Sequence, residues 1–168
     1  MDIRAIEDHG YTLTVENPSA REAEVIAAAM ECVLSRVAVR LRFESEKGIV
    51  TVTGSLSAAG ISTCVRCGAD TEVVVEGPVA LTYVKEPEET GESRELTEEE
   101  MDLGWYSEGT LEPLDVLSEA VALALPDRLV CVDSLACEAR AQALLAAQDA
   151  GPEPEIGLKA LGKLHFSS

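Results

Sequence analysis

Cys64-Val65-Arg66-Cys67-Gly68 lies between two extended runs: Ile61, Thr63 and Val65 lead into it, and Val73-Val74-Val75 leads out. β-Branched segments that close on a short glycine-bearing turn lie side by side and antiparallel, so the chain is committed to a hairpin with two thiols at its tip. Two cysteines three positions apart, with glycine after the second, present two sulfurs to one metal ion. That is half of a tetrahedral site. The distant cysteines able to complete it are Cys131 and Cys137, with Cys32 an outsider. Three uses of the pair compete: a structural metal site, plain thiols and a thiol redox centre. A redox centre puts its first cysteine at the start of a helix, whereas the residues after Cys67 turn and become β-branched, which favours a hairpin tip.

The remaining pattern supplies partners for that hairpin. Val37, Val39, Leu41 and Phe43 alternate with Arg40, Arg42 and Glu44, a strand with one dry face and one wet one. Arg36, Arg40 and Arg42 place three basic residues within seven positions, the nearest approach here to a nucleic-acid contact; a solvated strand face is the plainer account. Tyr11-Thr12-Leu13-Thr14-Val15 and Ile49-Val50-Thr51-Val52-Thr53 read as strands, and Gly54 and Gly60 bound a softer segment after the second. Gly77-Pro78 breaks the pattern, which Val79, Leu81 and Tyr83 restore. The residues before Tyr11 show little periodicity.

Three helices are expected around these strands. The first has Asn17 as cap and Pro18 in its first turn, or else a Ser19/Glu22 capping box, and buries Val25, Ile26, Ala29, Val33 and Cys32. Pro113 opens a second, with Leu114, Leu117, Val121 and Leu125 on one face, and Pro126 stops it. Asp133 or Ser134 caps a third over about 135–147, carrying Cys137 near its start. Trp105, the sole tryptophan, reads as a seal on the core or its edge, with a contact surface as the alternative. The fold class expected is α+β: an antiparallel sheet of about five strands covered by an N-terminal helix, with two further helices in the C-terminal third. Residues 1–150 read as one domain and 86–102, nine acidic residues against one basic, as a mobile acidic loop. Residues 151–168 read as a linker followed by a docking segment with Leu158, Leu161 and Leu164 at three-residue steps.

Charge narrows the function. With 31 acidic residues against 13 basic, the formal charge is −18, which opposes broad attachment to RNA or DNA unless the few basic residues cluster, and suits a basic protein partner. No apolar run reaches the roughly 20 residues of a membrane span and no leader opens the chain, so a cytoplasmic protein without membrane contact is expected. Five cysteines fit reduced thiols or metal ligation better than a disulfide framework. His9 and His165 lie in no triad or metal pattern and no phosphate-binding glycine loop occurs, so neither a catalytic residue nor a small-molecule substrate is expected.

The order of these features resembles the bacterial family of large ribosomal RNA subunit accumulation proteins, the YceD family. The resemblance lies in the Cys64-Val65-Arg66-Cys67 pair after a series of strands, the acidic connector and the segment Leu114-Asp115-Val116-Leu117-Ser118-Glu119-Ala120-Val121-Ala122-Leu123-Ala124-Leu125-Pro126. A downstream cysteine region and the closing Gly157-Leu158-Lys159-Ala160-Leu161-Gly162-Lys163-Leu164 complete it. It implies a non-enzymatic cytoplasmic role in producing or stabilising 23S rRNA, with a ribosomal protein or pre-ribosomal particle as partner. Family members often carry a second cysteine pair that would complete a site for one structural Zn²⁺. Here that pair is Cys131 and Cys137, with five residues between them rather than the usual two to four.

Overall fold

The computed structural model describes residues 1–87, Thr97 and 101–149. Five strands form one sheet in sequential order: β1 Tyr11–Val15, β2 Val33–Glu46, β3 Ile49–Thr63, β4 Asp70–Lys85 and β5 Leu103–Tyr106. Four helices accompany it: α1 Ile3–His9, α2 Ala20–Met30, α3 Pro113–Leu123 and α4 Ser134–Asp149. The first four strands are antiparallel, and β5 runs parallel to β4. This is the α+β fold expected, with α1 as an additional helix. The mobile loop expected at 86–102 lies outside the described residues at 88–96 and 98–100, and so do the linker and docking segment expected at 151–168.

One core joins α1, α2 and α3 to a single face of the sheet. Its centre is Phe43, Leu41, Val50 and Val52 from the strands with Ile26, Met30 and Leu117 from the helices, all fully buried. Each such side chain contributes roughly 1.5–3 kcal/mol. The short α1 escapes a periodicity search because only Ile3 and Ile6 face the core, too few to repeat. Asp2 caps it by accepting from the Arg4 N–H at 2.8 Å.

Helix α2 starts from the capping box rather than from Asn17 and Pro18. The Ser19 hydroxyl accepts from the Glu22 N–H, and the Glu22 carboxylate accepts from the Ser19 N–H at 2.7 Å. The helix ends one turn earlier than its apolar stripe suggests. Glu31 adopts a left-handed conformation at φ 47°, and the N–H groups of Glu31 and Cys32 bond back to Ala28 and Ala27. Val33 thereby leaves the helix for β2, where it is exposed, and Met30 fills its place in the core.

Strands β3 and β4 are longer than their glycines imply. Gly54 and Gly60 lie within β3 because β2 passes so close that a Cβ at Gly54 would strike the Arg40 carbonyl oxygen, and one at Gly60 the Cys32 sulfur and Val33 carbonyl. Gly77 and Pro78 likewise lie within β4, paired with Leu56 and Ser55, and the inward series Val73, Val75, Val79, Tyr83 keeps its phase across them. Pro78 is tolerated because β5 pairs only with Thr82–Lys85, leaving β4 at Pro78 without a named strand on its other side. The core seal at β5 is Tyr106, buried and donating to the Gly48 carbonyl at 2.6 Å; Trp105 is 40% exposed.

Candidate metal centre

The β3–β4 hairpin carries the two nearer cysteines. After the last pair, Thr63 with Asp70, the Cys64 N–H bonds to the Ala69 carbonyl at 2.8 Å and the Gly68 N–H to the Cys64 carbonyl at 2.9 Å. Gly68 takes φ 69°, a left-handed turn that glycine enters without strain. This folding-back presents the Cys64 and Cys67 sulfurs on one side of the tip.

The other two cysteines arrive from the segment after α3. The Val65 N–H bonds to the Leu129 carbonyl at 2.9 Å, pinning that segment along the tip and delivering Cys131. Asp133 then caps α4, its carboxylate accepting from the Ala136 N–H at 3.0 Å, and the first helical turn swings Cys137 inward. The five-residue gap is therefore half loop and half helix turn, which is why it can exceed the spacing of a simple knuckle. Cys32 is elsewhere, partly buried against the main core, as its place on the apolar stripe implied.

All four sulfurs lie within 4.8 Å of one another, with Cys64 to Cys137 and Cys67 to Cys131 both at 3.6 Å. A disulfide would bring two of them to about 2.05 Å, whereas four Zn–S bonds of about 2.3 Å in a tetrahedron put sulfurs about 3.8 Å apart. The spacing fits ligation of a common centre. Cys64, Cys67 and Cys137 are buried, and Ala69, Cys131 and Ala141 pack around them, forming a small cluster separate from the main core.

The surroundings are arranged for thiolates. Burial pushes the Cys64 thiol up, but the N–H groups of Cys67, Arg66 and Cys131 together with the Cys131 side chain bring it down to about 6. The Arg140 guanidinium, donating to Cys67 at 3.5 Å and to Cys131 at 3.3 Å, holds Cys67 below the usual thiol range, helped by the Ala69 N–H. Cys137 is pushed the other way, to about 12, by burial and by the three other sulfurs. A further negative charge at Cys137 is unfavourable until a cation enters the cluster, so the donor set suits a divalent ion. Arg66 ties the tip to α4 through Glu138 at 3.0 Å.

The two arginines were not singled out by spacing. Arg140 stands three residues after Cys137, one helical turn along, and that periodicity was the available signal. Among the described residues no histidine joins the cluster, and no helix is long and apolar enough to cross a membrane.

A match to the family described as large ribosomal RNA subunit accumulation protein YceD covers residues 52–164, more than half of the chain and all four clustered cysteines. Neither a curated protein nor a solved structure matches.

Proposed function

Since this chain belongs to the YceD family, we propose that it is a non-enzymatic factor in ribosome biogenesis that supports the synthesis, processing or accumulation of 23S rRNA in the cytoplasm. It acts by holding a ribosomal protein or a pre-ribosomal particle, and it contains one structural Zn²⁺ on Cys64, Cys67, Cys131 and Cys137. The family match carries the functional part of this reading. The four-sulfur cluster supports the metal part, because four protein ligands leave no open position for water or substrate, the arrangement of structural rather than catalytic zinc. The rival use of Cys64 and Cys67 in thiol exchange has their burial against it.

Deletion of the gene, followed by measurement of 23S rRNA and of the protein's sedimentation with large-subunit precursors, tests the function. A fall in 23S rRNA relative to 16S, with the protein in precursor fractions, is expected; unchanged rRNA and a protein found only as free monomer would rule the reading out. Elemental analysis of protein purified without chelator tests the metal, with one zinc per chain expected.

A further inference from the structure

Among the described residues the helices cover one face of the sheet and leave the other open. In the centre of the open face Arg42 stands beside Thr12 of β1 and Thr53 of β3, and Arg40 beside Thr14 and Ser55. Arg36 continues the row on β2 in the same register, next to Ala59. All three arginines are exposed. Arg42 pairs with Glu44 at 2.8 Å, whereas Arg36 and Arg40 have no ion pair among the described residues. The next neighbours outward on β4, Pro78 and Ala80, are small, so the guanidinium groups rise from a low, hydroxyl-lined floor.

Trp105 shares this face. It pairs with Val84 and alternates with the buried Tyr106, so its half-exposed ring points to the open side, three strands from Arg42 and displaced along the strands toward the Glu44 end. The helix side carries acidic residues of its own, Glu7, Glu24, Glu112, Asp115 and Glu119 among them. On the open face Glu44 and Glu46 stand at one end of β2, and Asp70, Glu72 and Glu76 are on β4, two strands from the arginines. At physiological salt the screening length is about 8 Å, so charge behind the helix layer acts weakly on a ligand at the sheet. Within the open face the row on β2 is where a polyanion meets three positive charges close together.

We propose that the open face of the sheet docks RNA, with Arg36, Arg40 and Arg42 on the phosphodiester backbone and Trp105 against a base. Guanidinium forks and hydroxyls match phosphate oxygens, and an exposed indole gives a stacking surface that an acidic polypeptide would not use. Three arginines and one ring position a strand without reading its sequence. The choice of RNA over other polyanions draws on the ribosome-assembly reading above; the surface itself does not depend on it.

Trp105, the sole tryptophan, reports the contact directly. The full-length, metal-replete protein is titrated with poly(U), and in parallel with poly-glutamate, at several salt concentrations while its emission is followed. Poly(U) is expected to quench Trp105, with an affinity that falls as salt rises. Arg36→Ser/Arg40→Ser, both exposed and unpaired, is expected to keep zinc content and melting temperature, weaken poly(U) binding at least tenfold and flatten the log–log salt slope by about 1.4. No response to poly(U) at low salt, an unaltered affinity in the variant, or equal binding of poly-glutamate would each overturn the proposal. Failure here is distinct from failure of the assembly role, because sedimentation with precursor particles that persists in the double variant points to a protein partner instead.

Discussion

Cys137, unlike Cys64 and Cys67, is made less acidic by its surroundings, and it is also the residue that fastens α4 to the hairpin. Replacing it with serine should therefore abolish zinc binding and lower stability. At free zinc a thousand times the dissociation constant the loss would be about 4 kcal/mol. Cys32→Ser, outside the cluster, should leave zinc content at one per chain; elemental analysis and thermal melts of both variants make the comparison. Tyr83 provides a second test at this scale. Burial, the 2.6 Å hydrogen bond to Glu119, and the charges of Glu119 and Asp115 all raise its ionisation well above that of a free phenol. The folded state thus favours neutral Tyr83, and its contribution is complete below about pH 10 and lost as pH climbs from there toward the raised folded value. Tyr83→Phe should cost about 1 kcal/mol near neutrality and flatten the alkaline decline, as read from denaturant unfolding between pH 8 and 11.

At the scale of the element, two glycines in long strands have opposite roles although both look like strand breakers. Gly60 has no room for a Cβ against Cys32 and the Val33 carbonyl, so Gly60→Ala should force β2 and β3 apart and destabilise by roughly 1–3 kcal/mol. Gly77 faces open space, and Gly77→Ala should be neutral or stabilising by up to about 1 kcal/mol. Urea midpoints measured side by side separate the two, and similar losses in both would refute the packing argument. The N-terminal cap of α2 was legible because Ser19 and Glu22 form a motif within four residues. Its C-terminal stop was not, since Glu31 is held left-handed by hydrogen bonds rather than by an intrinsic preference. The phase of β4 is a similar case: Gly77-Pro78 signals a break locally, but pairing along β3 carries the strand through.

At the scale of the molecule, the described part of the chain has two unequal centres, an aliphatic core between sheet and helices and a small sulfur cluster at the hairpin tip. Helix α4 packs through Cys137 and Ala141 and exposes Leu135, Leu144 and Leu145, so it depends on the second centre. Chelation should release α4 to fast amide exchange while β2 and β3 stay protected; exchange lost uniformly across the chain would mean that the two centres are one cooperative unit. The sequence by itself determined the strands on either side of Cys64 and Cys67, the alternation that turns Val37, Val39, Leu41 and Phe43 inward, and the helix opened by Pro113, because these follow from neighbours within a few residues. Only the tertiary structure decided that Cys131 and Cys137 meet the hairpin tip 64 and 73 positions away from their partners, that Arg140 attends them, and that Trp105 shares an open face with the arginines. Those are juxtapositions of distant segments, fixed by sheet order and by where a loop is pinned, and no local periodicity encodes them.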